Sequence, residues 1–197
     1  MQAPFGPPGQ IIFLNGASSS GKTSIAEQLL EVLERPWFHL PVDAINAMRA
    51  KRRTVELSQA ERDVVLGRTR AGFHRAVAGM AAAGNNVVMD YVLSERWRLL
   101  DCLSVLAGFE VVFVGVRCAP AELARRERLC GDREPGLAQA QQELVHAHGC
   151  YDIECDTTTT SPLDCALSIR DFLGRPDPPA AFEELRTMLA EGAVLLP

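Results

Sequence analysis

The stretch IIFLNGASSSGKTSIAEQLL, residues 11–30, decides the fold of this chain. An apolar run typical of a buried strand leads into a cluster of small residues, and a helical pattern of apolar positions follows. Within it, the spacing Gly16-x-x-x-x-Gly21-Lys22-Thr23 matches the GxxxxGK[ST] loop that cradles phosphates. With a strand before it and a helix after it, the motif predicts a site for a nucleoside triphosphate.

The residue types of this loop fit the chemistry of phosphate binding. Gly16 and Gly21 allow backbone angles and a close approach that a side chain would block. The start of the helix adds unpaired N–H groups and the positive end of its dipole. Lys22 is placed to reach the terminal phosphates, and the Thr23 hydroxyl to ligate Mg²⁺. The alternative is a small-residue turn that binds nothing. The residues predicted to contact ATP are Gly16, Ala17, Ser18, Ser19, Ser20, Gly21, Lys22, Thr23 and Ser24.

Length and composition limit the classes of protein to consider. The 197 residues suffice for one α/β domain. A net charge of −5 disfavours a nucleic-acid-binding surface, and no apolar run approaches the length of a membrane span. The six cysteines show neither a C-x-x-C pair nor zinc-finger spacing, which is typical of reduced thiols. We therefore expect a cytoplasmic protein without nucleic-acid or membrane partners, and a flexible tail over residues 1–9.

Apolar runs that alternate with helical patterns predict the rest of the fold. Most of the runs are rich in Val, Ile and Phe, as in parallel strands that are buried on both faces. We expect an α/β, three-layer P-loop fold with a central five-stranded parallel sheet, helices on both faces, and a site at the carboxyl ends of the strands. The predicted strands are 11–15, 37–42, 86–92, 110–116 and 152–157. The predicted helices include 21–34, one or two over 58–83, 94–107, 162–173 and 180–191.

Two of the predicted strands end in an aspartate. Asp90 closes the third strand, where P-loop proteins place an acid that holds Mg²⁺ directly or through water. Asp43 closes the second strand, where a carboxylate can accept the proton of a hydroxyl that attacks a γ-phosphate. The alternative for both is helix capping, although Ser94 is better placed than Asp90 to cap the next helix. The predicted metal ligands are Thr23 and Asp90, and both aspartates are expected to face the acceptor.

Basic residues are concentrated in AELARRERLCGDREPG, residues 121–136. A mobile basic lid over about 124–136 would supply positive charge and exclude water during phosphoryl transfer. The alternative is a solvated helix face, because acids are interleaved with the arginines. His146 and His148 are interpreted as structural or surface residues, since the sequence offers no further zinc ligands at suitable spacing. The predicted lid arginines are Arg125, Arg126, Arg128 and Arg133.

Several motifs in order along the chain resemble the chloramphenicol phosphotransferase family. They are IIFLNGASSSGKTSIAEQLL, PWFHLPVDAI, NNVVMDYVLSERWR, VVFVGVRCAPAELARRE, GDR, and VH followed by YDIECDTT. The resemblance covers about residues 10–173. It implies an ATP-dependent kinase that phosphorylates a primary hydroxyl of a small, antibiotic-like molecule. It also implies Asp43 as the catalytic base, Arg133 as a lid arginine that faces the phosphates together with Lys22, and Asp90 near the acceptor and the metal.

The chain departs from the family pattern in INAMRAKRRTVELSQAERD, residues 45–63, where substrate choice is expected to lie. Its basic run at 49–53, which begins with Arg49, fits either an acceptor with a carboxylate or phosphate or an exposed helix face. A nucleoside, nucleotide or shikimate-like kinase is therefore an alternative. A nucleotide-dependent switch and a non-catalytic member of the family are two more, although the guanine-binding N-K-x-D tetrapeptide is absent. We expect a kinase domain over 10–174, followed by a linker and helix over 175–197.

Overall fold

The computed structural model describes residues 6–130 and 137–192. Within these ranges five strands form one parallel sheet in the order β2-β3-β1-β4-β5. The strands are β1 Ile11–Asn15, β2 Trp37–Pro41, β3 Asn86–Tyr91, β4 Val111–Arg117 and β5 Ile153–Asp156. The helices are α1 Lys22–Val32, α2 Val42–Ala47, α3 Lys51–Val55, α4 Gln59–Ala82, α5 Arg96–Val105, α6 Pro120–Cys130, α7 Leu137–Val145, α8 Pro162–Leu173 and α9 Ala181–Ala190.

Strand β1 lies at the centre of the sheet, and its side chains alternate between the two faces. Ile11 and Phe13 pack into a core with residues of α4, α5 and α9, whereas Ile12 and Leu14 pack into a second core with residues of α1 and α8. All four side chains are fully buried. A strand covered on both faces has to be continuously apolar. The three-layer P-loop fold expected from the sequence is thus confirmed.

Helix α4 is a single helix where the sequence allowed one or two. Ser58 and Glu61 start it with a reciprocal capping box, in which the Ser58 N–H donates to Glu61 Oε2 at 2.8 Å. The capping box fixes the point at which α4 begins and so helps to place its inner face against the sheet.

Among the described residues, neither α4 nor any other helix combines the length and the apolar character needed to cross a membrane.

Helix α9 packs on the same face of the sheet as α4 and α5. The ring centroid of Phe182 lies 5.0 Å from that of Phe113 and 5.8 Å from that of Phe13. Asp152, just before β5, accepts hydrogen bonds at 2.7 and 3.0 Å from the first N–H groups of this helix. The predicted helix after residue 175 therefore contributes to the core of the sheet.

Candidate active site

Residues 16–24, which we call the P-loop, comprise the connection from β1 to α1 and the first residues of α1, at the centre of the carboxyl edge of the sheet. A Cβ on Gly16 would lie 2.4 Å from the carbonyl oxygen of Val116, so a side chain does not fit there. Gly21 has φ +94°, in the left-handed region that favours glycine. Ser19 also has a positive φ, of 60°, which is unfavourable for a residue with a Cβ. The loop is therefore tightly wound against the neighbouring strand β4.

Lys22 is the first residue of α1, and its ammonium group lies inside the P-loop. Its Nζ donates to the carbonyl oxygens of Gly16 at 2.9 Å and Ala17 at 2.8 Å. The residue before the helix is Gly21, which has no side chain to accept from the first N–H groups of α1. A helix that begins in this way presents N–H donors and a positive dipole end to an anion.

Thr23 and Asp90 are in direct contact beside the P-loop. Thr23 Oγ1 donates to Asp90 Oδ2 at 2.7 Å, and His39 Nε2 lies 3.6 Å from the same oxygen. Burial acts to raise the pKa of Asp90, whose exposed fraction is only 6%. Its contacts with His39, the charge of Lys22 and the Thr23 hydrogen bond outweigh burial, so the pKa is lowered overall. Asp90 is therefore an ionised carboxylate at neutral pH.

Asp43 lies in the first turn of α2 and is not its N-cap. The N-cap is Pro41, whose side chain has no oxygen to accept a hydrogen bond, and α2 begins at Val42. The capping interpretation of Asp43 is therefore wrong, because the helix begins two residues earlier than capping by Asp43 would require. The residue is exposed and lines the same cavity as Asp90.

The prediction that Ser94 caps the helix after β3 is also wrong. The N-cap of α5 is Glu95, and Ser94 Oγ accepts a hydrogen bond from Arg98 instead.

A cavity of about 1000 Å³ lies over the carboxyl ends of β1, β2 and β3, and we call it the P-loop cavity. One wall is formed by the P-loop and by the threonine-rich run 157–160, which follows β5. The opposite wall is formed by the start of α2 and by residues of α4 and α5. The cavity therefore brings the phosphate-binding motif and both predicted aspartates to one place.

Arg126 and Thr157 close the cavity on the P-loop side, in an arrangement that the sequence analysis did not single out. Arg126 Nη2 donates to the carbonyl oxygen of Thr157 at 2.7 Å, and Nη1 contacts Thr157 Oγ1 at 3.1 Å. Thr157 is buried, and its hydroxyl donates to the carbonyl oxygen of Ser20 at 2.7 Å. The run of four threonines that starts at the end of the predicted strand 152–157 was the available signal for this side of the cavity.

The predicted lid arginines differ in their positions. Arg126 lines the cavity, whereas Arg125 is exposed and pairs with Glu122 through two hydrogen bonds of 2.7 Å. Arg128 is exposed on α6 and is not among the cavity-lining residues that the structure describes. Arg133 lies outside the described residues. Helical spacing grouped Arg125 with Arg128, but the intervening arginine is the one that faces the cavity.

Arg49, predicted to bind the acceptor, lies behind the cavity wall. Its Nη1 is 3.4 Å from both Asn46 Oδ1 and Thr69 Oγ1, so it links α2 to α4. Asn46 lines the cavity, but Arg49 is not among the lining residues of the described chain. The basic charge on the acceptor side comes instead from Arg70 and Arg98, which the sequence analysis did not single out.

Helix α7 reaches back to the P-loop through one side chain. The N–H of Ser18 donates to Gln141 Oε1 at 3.0 Å. The neighbouring Gln142 turns the other way and donates to the carbonyl oxygen of Cys118 at 2.8 Å. Backbone N–H groups of a P-loop are the donors that bind phosphate, so Gln141 occupies one of these donors with a neutral oxygen.

A buried polar cluster anchors the end of β1 below the P-loop. Asn15 Nδ2 donates to the carbonyl oxygen of Val145 at 2.6 Å and to Tyr151 Oη at 2.8 Å. His146 Nδ1 lies 2.6 Å from the same Tyr151 oxygen, and His148 Nε2 lies 3.3 Å from Asn15 Nδ2. Burial lowers the pKa of each histidine to about 4, so both are neutral at physiological pH.

Comparison with known proteins agrees with this geometry. A family model described as chloramphenicol phosphotransferase-like protein matches residues 9–174. The chain belongs to this family. A Mycobacterium tuberculosis protein, present in strains H37Rv and CDC 1551 and provisionally named as an O-phosphotransferase, is 32% identical over 200 aligned positions. The alignment covers 91% of this chain and 89% of the relative. The resemblance inferred from the sequence is therefore confirmed.

Solved structures with the same fold include kinases. The adenylylsulfate (APS) kinase of M. tuberculosis, in complex with AMPPNP and APS, superposes with a TM-score of 0.62 at 18% identity, over 86% of this chain and 99% of the kinase. Shikimate kinase from Acinetobacter baumannii, in complex with shikimate, superposes with a TM-score of 0.59 at 16% identity, over 85% and 93%. At such identities the likeness shows the fold alone. Family and fold together identify the protein as a nucleotide-binding phosphotransferase of the kinase type.

Proposed function

We propose that this protein transfers the γ-phosphate of ATP to a hydroxyl group of a small molecule, such as a chloramphenicol-like antibiotic or a related metabolite. The observation that carries the proposal is the convergence of Asp43, Asp90 and Lys22 on one cavity beside the P-loop. A carboxylate for the hydroxyl proton, a cation for the phosphates and an acid for a metal are the groups that phosphoryl transfer needs.

The P-loop fits the triphosphate of ATP. Its small residues allow backbone N–H groups to approach phosphate oxygens closely, and a phosphate would replace Gln141 at the Ser18 N–H. The Lys22 ammonium contacts loop carbonyls that a phosphate would also replace. The Arg126 guanidinium and the threonine-rich run lie at the other side of the loop, next to Gly21. In this position Arg126 contacts either the nucleotide base or its phosphates. The predicted ATP contacts over residues 16–24 are retained in the proposal.

The oxygen atoms beside the P-loop are suitable ligands for Mg²⁺. This ion is usually held by one or two protein oxygens, with water and substrate phosphates completing its shell. Thr23 Oγ1 and the ionised Asp90 provide such oxygens 2.7 Å apart. Among the described residues there is no cluster of three or more His, Cys, Asp and Glu, as a site built entirely from protein ligands would need. When bound, the ion would neutralise charge on the transferred phosphoryl group.

Asp43 acts as the general base in the proposed reaction. As the acceptor oxygen forms its bond to the γ-phosphorus, its proton moves to a carboxylate oxygen of Asp43. The bond between the γ-phosphorus and the bridging oxygen breaks, and ADP leaves with that electron pair. Lys22 stabilises the negative charge on the phosphates, and a lid that includes Arg133 adds positive charge from segment 124–136. The products are ADP and a phosphate monoester.

The experiment incubates the purified protein with ATP, Mg²⁺ and a panel of alcohols that includes chloramphenicol, nucleosides and shikimate. Mass spectrometry then identifies any compound that gains one phosphate. A phosphorylated product, formed only with ATP and protein present, supports the proposal. If AMPPNP binds but neither the panel nor a total metabolite extract yields a phosphorylated compound, the proposed transfer is wrong and a nucleotide-dependent switch replaces it.

A further inference from the structure

The wall of the P-loop cavity opposite the P-loop carries two arginines that share one acid. Arg98 Nη2 and Glu95 form a close ion pair, and Arg70 Nη1 lies 4.0 Å from the same Glu95 oxygen. At that distance Arg70 is too far away for a hydrogen bond. The cluster of Arg70, Arg98 and Glu95 therefore carries one excess positive charge, and Asp43 lies elsewhere on the same wall.

Arg98 is held in place by its surroundings. Only 6% of the residue is exposed, and Nη1 donates to the carbonyl oxygen of Val92 and to Ser94 Oγ, both at 3.0 Å. Its Nε is buried and finds no acceptor among the residues that the structure describes. Burial acts to lower the pKa of Arg98, but a guanidinium remains charged at any physiological pH. A fixed cation with a spare donor is therefore part of the cavity wall.

Tyr91 adds a second unused polar group beside this arginine. Its ring lies under the Arg98 guanidinium, 6.0 Å from ring centroid to Cζ. Tyr91 lines the cavity, and its buried hydroxyl has no hydrogen-bond partner within residues 6–130 and 137–192. Burial raises the pKa of Tyr91 above its usual value, so the hydroxyl keeps its proton and can donate it. Buried donors without acceptors are unfavourable unless a ligand pairs with them.

We infer that the acceptor carries an anionic group, a carboxylate or a phosphate, in addition to its hydroxyl, and that Arg70 and Arg98 bind this group. The inference rests on the proposed function and narrows its substrates to anionic acceptors, which excludes neutral molecules such as chloramphenicol itself. The anion replaces Glu95 as the partner of Arg70, and the hydroxyl of the same molecule then faces Asp43, which lines the same cavity. Without substrate, Glu95 is the counterion of both arginines, and weakly binding anions from the solvent do not displace it.

The test compares related acceptors of which one member carries an anionic group and the other is neutral. The pairs are gluconate with sorbitol, shikimate with its methyl ester, and ribose 5-phosphate with ribose, together with a metabolite extract separated by anion exchange into anionic and neutral fractions. ATP labelled with ¹⁸O in the γ-phosphate marks the product. We expect label in anionic compounds, with kcat/KM for the anionic member of a pair about tenfold to a hundredfold above that for the neutral one. Label confined to neutral compounds overturns the inference but leaves the kinase function intact.

Three variants separate charge recognition from folding. Arg70→Met and Arg98→Met should raise KM for the anionic acceptor about tenfold or more and leave KM for ATP unchanged. Glu95→Gln should lower that KM, because it removes the competing carboxylate, whereas loss of a merely structural contact would not improve binding. Arg75→Met is the matched control. Arg75 lies on α4, as Arg70 does, but pairs with Asp101 and is not among the described residues that line the cavity. This variant should have the same KM for both acceptors as the wild type. Equal loss for anionic and neutral acceptors in all variants contradicts the inference.

Failure of the inference and failure of the proposed function give different results. If no compound gains the label, the melting temperature of the AMPPNP-bound protein is measured with each pair. A rise with the anionic members alone, lost in Arg98→Met and Arg70→Met, supports the anionic site even though transfer has failed. An equal response to both members of each pair, or none at all, overturns the anionic site as well.

Discussion

Thr23 Oγ1 and Asp90 Oδ2 are joined by a 2.7 Å hydrogen bond although the two residues lie 67 positions apart in the chain. The bond links the first turn of α1 to the carboxyl end of β3 and thus fixes two oxygens beside the loop that binds phosphate. Since the pKa of Asp90 is lowered overall, this pair carries a negative charge at neutral pH. The arrangement suits a divalent cation bound between protein and nucleotide.

The first prediction concerns Mg²⁺ at this pair. In the wild type, AMPPNP should bind more tightly when Mg²⁺ is added, and Asp90→Asn should reduce this gain by about tenfold or more because the neutral amide attracts the ion less. Isothermal titration calorimetry with and without the ion measures the gain. Thr23→Val combined with Asp90→Asn should do no more damage than Asp90→Asn alone, since the two act as a unit. Additive losses would contradict the shared site.

Gln141 is predicted to compete with phosphate for the P-loop. Its Oε1 accepts from the Ser18 N–H, so a bound phosphate has to replace it. Gln141→Ala should tighten AMPPNP binding by a few-fold, in line with about 1 kcal/mol for a neutral hydrogen bond. The neighbouring Gln142→Ala removes a bond to Cys118 instead and should leave the affinity unchanged. Weaker binding of AMPPNP by Gln141→Ala would show that this side chain supports the loop and does not compete with phosphate.

Arg126 and Arg125 are predicted to differ in nucleotide binding although they are adjacent in the chain. Arg126 contacts Thr157 beside the P-loop, while Arg125 pairs with Glu122 on the exposed side of α6. Arg126→Gln should raise the Kd for AMPPNP about tenfold, as expected for loss of a charged contact. Arg125→Gln should bind like the wild type, because exposed ion pairs contribute little. Equal effects of the two variants would place the nucleotide elsewhere.

The buried histidines predict a dependence of stability on pH. His148 has a pKa of about 4 in the folded protein, below its ordinary value of 6.5. Between these values the unfolded chain binds a proton that the folded chain does not, so stability falls as the pH drops from about 6.5 to about 4. The contribution is up to about 3 kcal/mol. Urea unfolding across this range should show a shallower decline for His148→Gln than for the wild type, and parallel curves would contradict the lowered pKa.

The fold and the P-loop could be predicted from sequence because each depends on a local pattern. A continuous apolar strand such as 11–15 needs cover on both faces. Glycine is required at position 16 by the close approach of Val116, and at position 21 by a positive φ. Asp43 and Asp90 could be predicted as neighbours of one site because carboxyl ends of parallel strands share an edge. These inferences use nearest neighbours in sequence and simple strand geometry.

The acceptor wall could not be predicted because its residues converge only in the folded chain. Arg70 lies in the middle of α4 and Arg98 in the first turn of α5, and nothing in their sequence surroundings separates them from arginines on exposed faces. The basic run that begins at Arg49 was the more visible signal, yet that side chain is used to join α2 to α4. Likewise, helical spacing does not tell which of two adjacent arginines, 125 or 126, faces the cavity.

The most direct test of the central claim is the rate of phosphate transfer by Asp43→Asn, measured by mass spectrometry on the acceptor that the wild type phosphorylates. The amide keeps the shape of the side chain but cannot accept the hydroxyl proton, so kcat should fall by about a hundredfold to ten-thousandfold while the Kd for AMPPNP stays unchanged. Asp63→Asn, an exposed acid on α4, serves as the control. Transfer by Asp43→Asn at the wild-type rate would contradict the account, since the hydroxyl would then be activated without this carboxylate.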